Sequence, residues 1–192
     1  MNTYPELILA SASPRRQELL TKMGLKFRVQ PADVDERCEG APEVRVAILA
    51  ERKARGVMET GARGVIVASD TLVALNGRAL GKPKDAADAV AMLKALSGRA
   101  HDVFTGVCLL DADTGRSETI VERTGIHFLP MSDAEIAAYV ATGEPMDKAG
   151  AYAIQGGARP FIDQIDGSFD NVMGFPTEAF AQMLERFFGK AR

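Results

Sequence analysis

Short apolar runs alternate along this chain with stretches whose apolar residues recur at helical spacing. Apolar runs at 7–10, 27–30, 65–68, 72–75, 103–110, 116–128 and 160–165 read as strands. Several are apolar at successive positions, as strands buried on both faces are. Residues 14–23, 43–60, 86–96, 133–142 and 177–188 read as helices. In the 86–96 stretch Ala89, Val90, Met92, Leu93 and Leu96 have helical spacing, Asp85 stands at the cap, and Ser97-Gly98 closes the end. Asp111-Ala112-Asp113-Thr114-Gly115, between two long strand candidates, reads as a hairpin loop. The pattern predicts the α/β class, with a mixed, twisted sheet flanked by helices. It shows no repeat of 20–50 residues and no low-complexity linker. A single domain over residues 1–192 is expected, with room for two lobes around a central cleft.

Composition narrows the function classes. At 46% apolar and 26% charged residues the chain is of the globular kind, and no apolar stretch approaches the roughly 20 residues that cross a bilayer. The first six residues lack a basic segment leading into an apolar one, so no signal peptide is expected. A cytoplasmic location with Cys38 and Cys108 as reduced thiols follows. The net charge of −3 and the lack of a long basic run argue against general nucleic-acid binding, but not against an anionic small molecule held in a local positive pocket.

The richest chemistry lies where the first apolar run meets Ser11-Ala12-Ser13-Pro14-Arg15-Arg16. Pro14 suits a first helical turn and Ser13 suits its cap, where the hydroxyl accepts a free N–H. Free N–H groups and the helix dipole favour an anion there. Two arginines in that turn oppose the dipole, which suits either a polyphosphate ligand or a capped surface helix with solvated arginines.

Four more clusters follow. Asp33-Val34-Asp35-Glu36 carries three carboxylates able to hold a hard divalent cation, or forms a solvated acidic loop. Lys53, within the second helix candidate, can meet a phosphate or simply face water. Asp70 follows an apolar run in Ser69-Asp70-Thr71, at what reads as the end of a strand, and suits a metal, a proton acceptor or a turn. Gly81-Lys82-Pro83 would display Lys82 on a stiff turn. A further small-residue stretch, Asp147-Lys148-Ala149-Gly150-Ala151-Tyr152-Ala153-Ile154-Gln155-Gly156-Gly157, suits a wall against a planar ligand, with the Gln155 amide able to read a base edge, or is an irregular loop. His101 and His127 show no triad order or zinc spacing and read as structural.

In their order, SASPRRQELL, DVDE, ERKA, ASDT, LGKP, LSG…TGV, KAGAYAIQG and NVMGFP resemble the Maf family of nucleoside triphosphate pyrophosphatases, from about residue 7 to 176. SDT with YAIQG resembles the branch acting on dTTP and UTP. The resemblance implies a fold similar to inosine triphosphate pyrophosphatases. It also implies metal-dependent hydrolysis to a nucleoside monophosphate and pyrophosphate, with a nucleoside triphosphate as partner. It further implies Asp70 as proton acceptor, Arg15, Thr71 and Gln155 as specificity positions, and Ser11, Arg16, Glu36, Lys53 and Lys82 as polar site positions. Ser13, from the same loop, joins the phosphate-binding set, and Glu36 with Asp70 forms the expected ligand pair for Mg²⁺ or Mn²⁺. A homodimer is compatible with the resemblance. Ala153 departs from the glycine many relatives carry there, adding a methyl group near Gln155. The alternatives are a pyrophosphatase for 7-methyl-GTP or another modified nucleotide, and a nucleotide-binding regulator of cell division with incidental hydrolysis.

Overall fold

The computed structural model describes residues 4–189. A seven-stranded mixed sheet forms the centre. Its strands are β1 (Leu7–Leu9), β2 (Phe27–Val29), β3 (Val65–Leu75), β4 (Arg78–Leu80), β5 (Ala100–Asp111), β6 (Ser117–Phe128) and β7 (Ile162–Asp166). The spatial order is β2-β1-β3-β5-β6-β7, with β4 paired to β3. β1 runs parallel to β2 and β3, and the other pairings are antiparallel. The helices are α1 (Pro14–Lys22), α2 (Pro42–Glu59), α3 (Ala86–Leu96), α4 (Asp133–Ala141), the single turn α5 (Phe169–Val172) and α6 (Thr177–Phe188).

Both faces of the sheet are covered, which is why its central strands are apolar at consecutive positions. Ile8, Ile66, Ala68, Cys108 and Leu110 pack with Ala50, Ala54 and Val57 of α2. The alternate residues Leu7, Leu9, Val65, Val67, Val107 and Leu109 join a larger core with α1, α3 and α6. α2 lies close against β5: a β-carbon at Gly106 would collide with the backbone of Val46. Glycine here lets helix and strand approach, and that approach sets the height of Lys53 over the sheet.

Two expectations need correction. The runs at 65–68 and 72–75 are one strand, because β5 pairs with β3 continuously from Val65↔Asp111 to Ala74↔Asp102. Asp70 therefore sits inside a strand and not at its end. β1 stops at Leu9, opposite Val67, so Ser69-Asp70-Thr71 runs on beyond its parallel neighbour and opens onto a cleft. The other correction concerns Ser13: it occupies the N-cap of α1, but its hydroxyl makes no capping bond. Its backbone N–H instead donates to Ser11 Oγ at 3.2 Å.

The hairpin β3–β4 turns at Asn76 (φ 51°) and Gly77 (φ 74°), two positive-φ residues as a tight hairpin requires. That Asn-Gly pair is a legible hairpin signal, and it delivers the chain to Gly81-Lys82 beside the cleft. Asp85 caps α3 by accepting from Asp88 N at 2.8 Å. Ser132 and Glu135 form a capping box on α4. The Asp111–Gly115 loop joins β5 to β6, with Gly115 N–H donating to Asp111 O at 2.8 Å. Among the described residues no helix is long and apolar enough to cross a membrane.

Candidate active site

An open cleft of about 890 Å³ lies past the end of β1. Its lining includes Ser11 and Ser13 from the loop after β1, Arg15 and Arg16 from the start of α1, Glu36 from the loop after β2, Lys53 from α2, Asp70 and Thr71 from β3, and Lys82 after β4. Nine positions singled out from sequence thus converge on one space. Gln155 is not part of that lining. It is exposed, and its amide nitrogen lies 2.8 Å from Sδ of Met173, which does line the cleft.

Lys53 is the centre of the charge arrangement. Its Nζ lies 2.7 Å from Asp70 Oδ1 and 2.8 Å from Glu36 Oε1. Lys53 and Asp70 are buried, whereas the Glu36 side chain is 64% exposed. The Lys53 hydrogen bond is the main cause that holds the Glu36 carboxyl below its ordinary pKa; the charges of Lys53, Lys82 and Arg16 add to it.

Arg16 is locked into the wall. Nε donates to Gly174 O at 3.0 Å, Nη1 to Ser11 Oγ at 3.1 Å and Nη2 to Thr71 Oγ1 at 3.3 Å. Burial lowers its guanidinium pKa, and the charges of Asp70 and Glu36 oppose that shift. Ser69 Oγ also donates to Gly174 O, at 3.1 Å. Gly174 has φ 107°, a conformation that favours glycine, beside Thr71 Oγ1. Thr71 Oγ1 is 3.0 Å from Thr105 Oγ1, whose hydroxyl donates to Asn171 O. The segment 171–174 is thereby fastened to the sheet beside Asp70.

The acidic loop contributes only part of itself. Asp35 turns outward and accepts three side-chain hydrogen bonds from Arg37. Asp33 is exposed and does not line the cleft, so Glu36 alone of the three carboxylates does. Of the two readings of this stretch, Asp33 and Asp35 follow the solvated loop, and Glu36 alone faces the cleft. Among the described residues, no group of three or more His, Cys, Asp and Glu is placed to hold a metal ion.

A match to the Maf-like protein family spans residues 6–187. The chain belongs to the Maf family. It is 46% identical over 184 residues to a dTTP/UTP pyrophosphatase of Pelotomaculum thermopropionicum, covering 95% of this chain and 96% of the relative. It is 48% identical over 186 residues to a dTTP/UTP pyrophosphatase of Anaeromyxobacter dehalogenans, covering 95% and 94%. The Staphylococcus aureus Ham1 protein shares the fold, with a TM-score of 0.53 at 15% identity over 95% of this chain and all of that one.

This Maf chain also brings residues to the cleft that motif reading missed. Arg45 and Leu49 line it with Lys53, spaced four apart on one face of α2. That spacing becomes a signal only once Lys53 is known to face inward. Asp147, Lys148, Ala149, Tyr152 and Ile154, from the stretch 147–157 that the sequence did single out, line it too, and the Lys148 hydrogen bond is the first cause of a lowered Asp147 pKa. His101 is buried, with Nε2 2.9 Å from the hydroxyl of Tyr152, which itself lines the cleft. His127 Nδ1 meets Asp163 Oδ2 at 3.2 Å on β7. Both cysteines are free.

Proposed function

We propose that this Maf protein is a nucleoside triphosphate pyrophosphatase that hydrolyses dTTP and UTP between the α and β phosphates. The observation that carries the reading is the convergence of Lys53, Asp70 and Glu36 in a cleft walled by Arg15, Arg16 and Lys82. A triphosphate brings several negative charges, and fixed cations in a partly dry cleft offset them without reorganising. The names of the two relatives above support the choice of dTTP and UTP.

In this reading Arg15 and Lys82 meet phosphate oxygens directly, and Ser11, Ser13 and the first N–H groups of α1 receive others. Arg16 has five N–H donors, of which three are used within the wall, leaving two for phosphate oxygens. Asp70 accepts the proton of the attacking water. As the water oxygen bonds to the α phosphorus, the bond to the bridging oxygen breaks and pyrophosphate leaves. Lys53 holds Asp70 Oδ1, so the second carboxylate oxygen takes the proton.

Asp70 and Glu36 fit a divalent metal. Both carboxylates line the cleft, and Mg²⁺ is commonly held by one or two carboxylates together with substrate phosphates and water. When bound, such a metal would neutralise phosphate charge and lower the pKa of the attacking water. Thr71 and Gln155 are read as the residues that distinguish the base. Gln155 would have to leave Met173 to do so.

The test is pyrophosphate release from dTTP, UTP, CTP, GTP and 7-methyl-GTP, with Mg²⁺ or Mn²⁺ and with chelator. Metal-dependent release from dTTP and UTP above the rest is expected. Preference for 7-methyl-GTP overturns the specificity, and nucleotide binding without release overturns the enzyme.

A further inference from the structure

Gln155 is followed by two adjacent glycines, Gly156 and Gly157. Neither adopts the positive φ that usually calls for glycine. They make room instead. A β-carbon at Gly156 would collide with the Glu144 carboxylate, and one at Gly157 would lie 2.8 Å from Cε2 of the Tyr139 ring.

Both of those side chains hold the loop. Glu144 Oε2 accepts from Gly157 N–H at 2.9 Å. The Tyr139 hydroxyl accepts from Ala153 N–H at 3.0 Å. The loop is thus bonded on either side of Gln155 by residues from outside it. Tyr139 comes from the buried face of α4. Glu144 opens the 3-10 turn Glu144–Asp147, whose last residue lines the cleft. Burial, and next the hydrogen bond with Glu144, raise the Tyr139 pKa, so the phenol stays protonated at neutral pH.

We propose that Glu144 and Tyr139 are positioning residues that clasp the loop 153–157 and thereby set the base preference of the cleft. The inference rests on the reading of Gln155 given under the proposed function. A loop held at two backbone N–H groups loses less freedom when nucleotide binds, so the clasp acts on binding and discrimination more than on the chemical step. Neither side chain lines the cleft.

Steady-state kinetics of Glu144→Ala, Glu144→Gln and Tyr139→Phe on dTTP and CTP test this. In Glu144→Ala the KM for dTTP is expected to rise about tenfold, the change expected when one hydrogen bond to a charged group is lost. The kcat should stay within about threefold, and the preference for dTTP over CTP should fall. Glu144→Gln keeps an oxygen for Gly157 N–H and should recover part of the KM. Tyr139→Phe should shift the same parameters, and its effect should not add fully to that of Glu144→Ala. Unchanged KM and preference in Glu144→Ala and Tyr139→Phe, or a loss of kcat alone, overturns the clasp. If Glu144→Ala does not fold, Tyr139→Phe, which deletes one oxygen, decides the same comparison. An unmodified protein that releases no pyrophosphate from any nucleotide overturns the functional reading itself. Turnover by the unmodified protein with unaffected variants overturns only the clasp.

Discussion

Lys53 Nζ lies 2.7 Å from Asp70 Oδ1, joining α2 to β3 through two side chains that are each 11% exposed. Removing one partner of a buried pair leaves an uncompensated charge, which costs about 3–5 kcal/mol. Lys53→Met should fall toward the lower end of that range, because Arg16 also faces Asp70. Urea unfolding would measure it, and wild-type stability in that variant would contradict the pairing.

Asp70→Asn should behave differently. It removes the proposed proton acceptor but leaves Lys53 bound to Glu36 at 2.8 Å. Turnover of dTTP should drop about 10²–10⁴-fold, the usual contribution of a general base, with less destabilisation than Lys53→Met. Pyrophosphate assays beside melting curves separate the two effects. Near-normal turnover would remove Asp70 from the mechanism.

His101 makes folding sensitive to acid. Burial lowers its imidazole pKa from 6.5 to about 4. Between those values the unfolded chain binds a proton that the folded chain does not, so stability falls as pH drops through the window. The loss reaches about 3 kcal/mol at the acid end and is absent above the unfolded value. His101→Gln should show a flatter dependence of unfolding midpoint on pH across that window, while the carboxylates titrate alike in both proteins. Parallel curves would show that His101 is not the group responsible.

Much of the architecture was legible because its signals are local. Asp85 and Ser132 mark helix starts through bonds spanning three residues, and Gly115 closes a five-residue hairpin loop. Motif order brought out Asp70, Lys53, Glu36, Arg15, Arg16 and Lys82, all of which line the cleft. The short strand Arg78–Leu80 escaped notice although Asn76-Gly77 announced it. Arg45 escaped because its signal is a four-residue spacing from Lys53, visible only once the inward face of α2 is known.

The sequence by itself determined where helices begin, which runs are buried and which charged residues accompany a phosphate-seeking loop, since each depends on residues within a few positions of one another. Tertiary structure decided the rest. Pairing with β5 carries β3 through Ser69-Asp70-Thr71 without a break. Lys53, on α2, meets Glu36 of the acidic loop and Asp70 of β3 at once. Gly174 O and Thr71 fix the arginine that stands 158 and 55 positions from them. Glu144 fills the space left by Gly156. Each of these depends on which distant groups the sheet brings within about 3 Å, the reach of a hydrogen bond, and no local pattern encodes that neighbourhood.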